Sequence, residues 1–573
     1  MDAVRGRALV AGQARGRLAW ASLGLSFWGG VDPASGRVID RHHPLHGLEL
    51  AGRILAIPSG RGSCTGSAVL LELLLAGRGP AALLLAEPDE ILSLGAIVAE
   101  ELFGCSLPVV SLGAKAFAAL AEQDEIAVAD DWVGAPEAPF PATLADAPDE
   151  LQLSVTDQAM LDGAQGKAVQ AAMKILVRMA QLQGARELLD ITQAHIDGCI
   201  YTGPASLAFA QRLVEWGGRV RVPTSLNAVS VDQRRWREQG VDPALGEPAS
   251  ALAEAYVALG CRPTFTCAPY LLDSAPALGE QVVWAESNAV VFANSVLGAR
   301  TQKYADFLDI CTALTGRAPL AGCHLDSGRR AARVFRVSVP AGHDDAFYPL
   351  LGYWIGLRST TGIPAVLGLE DARPSRDDLK AFGAAFATTS AAPLFHLVGV
   401  TPEAPTLAAV TAPELEIEDI GLADLRQAWA ELDSVSTREV QLVALGNPHF
   451  SAEECQQLAD LCRGRHRHPQ VALVITLGRE VRAAAERSGA LAQLEVFGAQ
   501  LVGDTCWCML GEPLVPPHAR TLLTNSGKFA HYGPGLTGRE LRFAGLAACV
   551  EAACTGLAPP GPPDWLAPVD LST

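Results

Sequence analysis

Between Gly134 and Pro148 the chain reads Gly-Ala-Pro-Glu-Ala-Pro-Phe-Pro-Ala-Thr-Leu-Ala-Asp-Ala-Pro, four prolines in fifteen residues. Proline fixes φ and removes a backbone donor, so this stretch continues neither a helix nor a central strand and reads as an extended linker. It divides the 573 residues into a small unit at 1-135 and a large one at 149-573. With 49% apolar residues, each unit has enough to bury a core of its own.

The expected class is α/β. In the small unit, strand-like pieces such as Arg53 to Pro58 and Ala81 to Ala86 alternate with a helical one at Ser67 to Ala76. After the linker, Leu151 to Gly184 reads as helical. Leu188 to Ala194 is strand-like, Pro204 to Trp216 is helical with proline in its first turn, and Arg219 to Pro223 is strand-like again. Together these make a βαβ unit and hence a parallel sheet. A second α/β subdomain is expected from the short apolar runs Leu394 to Val400, Val440 to Leu445, Val471 to Thr476 and Gln500 to Val502, with a helix at Ala452 to Cys462.

Charge and hydropathy narrow the function. The 44 basic and 63 acidic residues leave a formal charge of -19, which repels a nucleic-acid backbone. Apolar runs such as Ala81 to Ala86, and Val69 to Leu75 with Glu72 inside it, fall well short of the roughly 20 residues that span a bilayer, so no membrane partner is expected. Arg5, Arg7, Arg15 and Arg17 are interleaved with glycines and do not flank the apolar core of a signal peptide. The expectation is a cytoplasmic protein, monomer or homo-oligomer, that acts on a small molecule.

The candidate chemistry lies in short polar strings at predicted strand ends, where ligands bind in open α/β sheets. Pro58-Ser-Gly-Arg61-Gly62-Ser63-Cys64-Thr-Gly-Ser67 links a strand to a helix, and its glycines let a ligand approach backbone N–H groups. His195-Ile-Asp197-Gly-Cys-Ile-Tyr201-Thr202 and Pro223-Thr-Ser-Leu-Asn227 follow strands and could position a substrate or carry protons. A turn with a helix cap would explain each of these equally well. Thr524-Asn-Ser526-Gly-Lys528 combines a helix start with a lysine, which could also be a solvated loop lysine. The segment from Cys261 through Cys267 and Tyr270 to Ser287, Asn288, Asn294 and Ser295 has few long charges and suits a buried polar wall.

Thirteen cysteines, an odd number, argue against a complete disulfide framework. Cys105, Cys199, Cys311, Cys455, Cys462, Cys549 and Cys554 read as packing residues. Cys64, Cys261, Cys267, Cys323, Cys506 and Cys508 remain, and none forms a CxxC pair, so a metal centre would have to gather single cysteines from distant loops.

Taken in order, these strings resemble the aconitase X family. The matching pieces are Pro-Ser-Gly-Arg-Gly-Ser63, His195-Ile-Asp-Gly, Val222-Pro-Thr-Ser-Leu-Asn227, Thr266-Cys-Ala-Pro-Tyr270, Ala285-Glu-Ser-Asn288, Ala293-Asn-Ser-Val-Leu-Gly-Ala-Arg-Thr301, Asp504-Thr-Cys506 and Thr524-Asn-Ser-Gly-Lys528. The resemblance covers nearly the whole chain. It implies an aconitase-like α/β fold, a small swivelling domain fused ahead of a large catalytic domain, and a hydro-lyase. Family members include archaeal enzymes for mevalonate 5-phosphate and a fused bacterial type for cis-3-hydroxy-L-proline that carries an iron-sulfur centre.

The fused arrangement favours cis-3-hydroxy-L-proline as substrate and Δ1-pyrroline-2-carboxylate as product. The alternatives are a mevalonate 5-phosphate dehydratase and a non-catalytic ligand-binding protein on the same scaffold. Where mevalonate-phosphate enzymes typically carry Gly-Cys-Pro-His, this chain has Gly446-Asn-Pro-His449. The resemblance therefore implies Cys267, Cys323 and Cys506 as ligands, with Cys508 in reserve, for a 2Fe-2S cluster or alternatively a mononuclear iron. It further implies Ser63 as base, with His195, Asp197 and Lys528 as further catalytic groups. Arg61, Gly62, Tyr201, Thr202, Asn227, Ser287, Asn288, Asn294, Ser295 and Ser526 are the expected substrate contacts.

Overall fold

The computed structural model describes residues 3–40, 43–60, 64–137, 151–412 and 415–567. Arg61, Gly62, Ser63 and the greater part of the expected linker lie outside the described residues. Before the linker, eight strands form one mixed sheet in the order Val4–Arg5, Trp132–Gly134, Glu125–Ala129, Gln13–Trp20, Ile54–Ile57, Ala82–Leu85, Val109–Ser111, Arg7–Val10. Ile54–Ile57 and Ala82–Leu85 are buried along their whole length, as continuous apolar runs in the middle of a parallel sheet should be. Gln13–Trp20 alternates in exposure and pairs antiparallel with Glu125–Ala129.

The expected helix over 151–184 is two helices, Val155–Leu161 and Lys167–Leu182, because Gly163 and Gly166 both adopt positive φ between them. The run Leu188 to Ala194 is also divided. Leu188–Asp190 pairs antiparallel with Arg317–Pro319, whereas Ala194–Ile196 enters a three-stranded parallel sheet between Thr224–Leu226 and Val283–Trp284. The βαβ unit is present, with Pro204–Glu215 as its helix. Its second strand begins at Thr224, and Arg219 to Pro223 forms the turn before it. The later runs belong to two sheets. His396–Leu397 lies at the edge of a four-stranded parallel sheet with Pro364–Leu367, Arg333–Val337 and Ile417–Ile420. Leu442–Phe450 is the centre of a five-stranded parallel sheet, flanked by Ala472–Leu477 and Thr521–Thr524. Ala452–Cys462 is a helix as expected, opened by a reciprocal capping box between Ser451 and Glu454.

Parallel sheets leave their strand ends to loops, and two sets of carboxyl ends converge here. From the three-stranded sheet come Asp197, Asn227 and Glu286, each within two residues of its strand end. From the five-stranded sheet come Cys506, after Ala499–Gly503, and Lys528, after Thr521–Thr524. No helix is long and apolar enough to cross a membrane among the described residues.

Candidate active site

A cavity lies where these ends meet. Its wall includes Asp197, Asn227, Glu286, Ser287, Asn288 and Lys528, the thiols Cys267, Cys506 and Cys508, and Trp28 and Thr65 from the N-terminal sheet unit. The two parts of the chain on either side of the linker therefore share one cavity.

Its polar floor is a connected network. Lys528 Nζ donates to Glu286 Oε1 at 2.8 Å. Asn288 Nδ2 donates to the same oxygen at 2.6 Å, and Asn227 Nδ2 reaches Glu286 Oε2 at 3.3 Å. Asn227 Nδ2 also donates to Asp197 Oδ1. The two carboxyls are driven apart. Burial raises Asp197 well above the ordinary carboxylate range, and the charge of Glu286 adds to it against the opposing hydrogen bond from Asn227. Burial alone would also raise Glu286, but the charge and hydrogen bonding of Lys528, with the bonds from Asn288, hold it down at about 2. Burial likewise works against the Lys528 ammonium, and Glu286 outweighs it, leaving the lysine well above its ordinary value. Lys528 sits in the first turn of Gly527–Thr537, the end of a helix that disfavours a cation, so Glu286 is what holds it there.

The thiols form the adjacent corner. Cys267 and Cys506 pack together with Ala228, and Cys508 lies against them. Two N–H groups point at sulfur: His449 N donates to Cys267 Sγ at 3.3 Å and Asn447 Nδ2 to Cys508 Sγ at 3.4 Å. Asn447, the position at which a cysteine was expected from the archaeal pattern, is thus beside Cys508, which brings a thiol to the same corner. Cys323 is not brought to this corner. It sits in the short turn Gly322–His324, its Sγ donates to Gly328 O at 3.3 Å, and it does not line the cavity. The short turn Trp507–Met509 folds Cys508 back toward Cys506, a proximity that the Cys-Trp-Cys spacing could have suggested.

Among the described residues no group of three or more His, Cys, Asp and Glu is arranged to hold a metal ion. The donor set nonetheless fits a thiophilic metal, since three thiols share a corner and two of them accept N–H hydrogen bonds of the kind that tune sulfur ligands.

Two side chains hold the thiol loops in register. Phe265 and Asp504, each two residues before a thiol, adopt φ of 43° and 63°. For a bulky residue such as Phe265 this value carries strain that surrounding contacts must offset, whereas aspartate enters the left-handed region more readily. Arg479 bonds both carboxylate oxygens of Asp504, at 2.6 and 2.7 Å, and its guanidinium lies 4.6 Å from the Phe265 ring centre. His449 bridges the same loops, with Nδ1 3.2 Å from Thr266 Oγ1 and Nε2 donating to Thr505 O at 2.7 Å.

Other expected site residues lie outside the cavity lining. His195 does not line the cavity; its Nδ1 is 2.8 Å from Ser225 Oγ, and burial lowers its pKa to about 3, which keeps it neutral. Tyr201 and Thr202 point away, Tyr201 packing beside Trp236, and Ile200 of the same segment faces the cavity instead. Asn294 is fully used, donating to Thr301 O and Pro393 O and accepting from Thr301 N and Arg329. Ser295 Oγ accepts from Phe395 N, and Ser526 caps the Lys528 helix through Phe529 N. Sequence reasoning gave no role to Glu286, or to Lys303, whose Nζ donates to Ser390 O and whose pKa burial lowers to about 8.

The glycine-rich loop is held on both sides of its undescribed residues. Asp89 Oδ2 accepts from Gly60 N at 2.7 Å while Oδ1 caps the helix Glu90–Phe103. Beyond it, Cys64 Sγ lies 3.8 Å from Ser287 Oγ, and Ser67 Oγ donates to Asp306 O at 3.2 Å.

Comparison with known proteins gives consistent matches. Family models for the aconitase X swivel, first, second and third domains match residues 3–134, 150–327, 331–430 and 440–555. The chain is 62% identical over 571 residues to a Cis-3-hydroxy-L-proline dehydratase of Pseudomonas aeruginosa, covering 98% of each chain. It is 54% identical over 570 residues to a protein of the same name from Hypocrea jecorina, covering 96% of this chain and 95% of that one. A Phosphomevalonate dehydratase large subunit of Methanothermobacter thermautotrophicus is 35% identical over 393 residues, covering 68% of this chain and 96% of its own. Among solved structures, holo-form aconitase X of Thermococcus kodakaraensis aligns with a TM-score of 0.63 at 29% identity, covering 71% of this chain and all of its own. With all four domain models matched in one polypeptide, the chain belongs to the aconitase X family, in its fused single-chain form.

Proposed function

We propose that this hydro-lyase dehydrates cis-3-hydroxy-L-proline to Δ1-pyrroline-2-carboxylate. The observation that carries the reading is the shared cavity, in which an acid–amide–lysine network and three thiols face residues contributed by the N-terminal unit. Identity to the two curated dehydratases over nearly the whole chain supports the substrate.

In this substrate the 3-hydroxyl and the hydrogen on C2 lie on opposite ring faces, so a base and an acid must flank the ring. Ser63, from the glycine-rich loop, is the proposed base and takes the C2 proton. Asp197 is the proposed acid. Its raised pKa keeps a proton available to the departing hydroxyl while Glu286 stays ionised, a separation of two carboxyls that divides their roles. Lys528, Asn227, Ser287 and Asn288 orient the ring and its carboxylate. The enamine left by loss of water tautomerises to the cyclic imine. Cys267, Cys506 and Cys508 would hold an iron–sulfur cluster of the two-iron type. When bound, that cluster supplies Lewis acidity toward the leaving oxygen.

The test is to purify the full chain anaerobically and assay it on both family substrates. Formation of Δ1-pyrroline-2-carboxylate from cis-3-hydroxy-L-proline, with no turnover of mevalonate 5-phosphate, is expected. Turnover of the phosphate alone would overturn the assignment.

A further inference from the structure

A second cleft opens away from the active cavity, where the segment 300–330 meets the four-stranded sheet. Arg300, Asp326, Ser327, Arg329, Arg330, His396 and Glu403 line its polar side, and its volume is about 510 Å³. Among the described residues that line it, three guanidiniums face two carboxylates, so one positive charge is left over. Arg329 is consumed within the protein: it pairs with Glu403 at 2.9 Å and donates to Asn294, Cys323 O and Ala299 O. Arg300 pairs with Asp326 and donates to His324 O. Arg330 has no carboxylate partner among the described residues, and donates from Nη1 to Thr411 O at 3.2 Å.

His396 supplies an independent observation. It is 1% exposed, and its Nε2 is 2.7 Å from Arg329 O. A carbonyl can only accept, so that nitrogen carries the proton. In the neutral ring Nδ1 is then an acceptor, and it is buried without a hydrogen-bond partner. Such a group costs free energy unless something donates to it.

We propose that this cleft binds inorganic phosphate or a phosphate monoester retaining an acidic O–H, with Arg330 neutralising the charge and His396 Nδ1 accepting the O–H. The two requirements together select the ligand. A carboxylate or sulfate offers charge but no donor at neutral pH, whereas hydrogen phosphate offers both. Arg329, whose backbone oxygen lies 2.7 Å from His396 Nε2, also grips Asn294 in the turn that continues the helix Ser287–Phe292. The first two residues of that helix, Ser287 and Asn288, line the active cavity.

The test is calorimetric titration of the full chain with inorganic phosphate and, separately, with sulfate at matched ionic strength. Phosphate should bind more tightly than sulfate. Arg330→Ala, at an exposed position, should weaken phosphate binding about ten-fold, the scale of one lost charge-assisted contact. His396→Phe removes the Nδ1 acceptor together with the donor toward Arg329 O, so it should abolish the preference for phosphate over sulfate. Equal binding of the two anions by the wild-type protein overturns the proposal. So does phosphate binding unchanged in Arg330→Ala, which would place the anion elsewhere, including in the active cavity.

Discussion

Lys528 shows how much of the site depends on one pairing. It is buried, sits at the unfavourable end of its helix, and has Glu286 as its counter-charge at 2.8 Å. Removing one member of a buried pair leaves the other uncompensated, typically at a cost of about 3–5 kcal/mol, whereas removing both is far milder. Lys528→Met should therefore lose about that much stability to chemical denaturation, and Lys528→Met with Glu286→Gln should recover most of it while remaining inactive. A double variant no more stable than the single one would mean that the pair does not set the electrostatics of the cavity floor. Glu286 stood inside a string already suspected of forming the wall, yet nothing in its local sequence marked it as a functional group. Its role is created by a lysine 242 positions away. Asn294 and Ser295 share the polar character of site residues, but Asn294 bonds the Thr301 backbone, Pro393 O and Arg329, and Ser295 bonds Phe395 N.

At the scale of elements, Asp197 and Asn227 come from strings singled out because they follow predicted strands, and Lys528 from a string read as a helix start; all three line the cavity. The thiol corner was only half legible, because sequence spacing does not reveal which of several isolated cysteines a fold brings together. Asn447 beside Cys508 and the turn Trp507–Met509 make that choice in space. The same loops are held by Arg479, through a bidentate pair with Asp504 and the face of Phe265. Lysine keeps the charge but cannot make both contacts. Arg479→Lys and Arg479→Met should both lower the iron retained per chain after anaerobic reconstitution, with the lysine variant intermediate. Full iron retention in Arg479→Met would show that His449 alone suffices to fix the loops.

For the whole molecule, the question is why a chain divided by a proline-rich segment should form one enzyme. Thr65 and Trp28 line the same cavity as Asp197, and Glu72 accepts from Ala205 N at 2.7 Å across the two units. The four prolines suggested the division, and the β/α character of the first unit was readable from its buried apolar runs. The partition of the later strands into two sheets was not, since short parallel strands look alike whichever sheet they join. If the N-terminal unit delivers the base, Ser63→Ala should keep the wild-type melting temperature and iron content while turnover falls about 10² to 10⁴-fold. Exchange of the substrate's C2 hydrogen with deuterated solvent should fall in parallel. Exchange at the wild-type rate would assign proton abstraction to another group.

The central claim is that Cys267, Cys506 and Cys508 make the thiol corner of this cavity a metal-binding active site. Iron and sulfide content, with the visible thiolate-to-iron absorption, measured side by side in anaerobically purified Cys508→Ala and Cys323→Ala, tests it most directly. The account predicts that Cys508→Ala loses iron and colour while Cys323→Ala keeps both at wild-type levels. A colourless Cys323→Ala beside a fully loaded Cys508→Ala would contradict it.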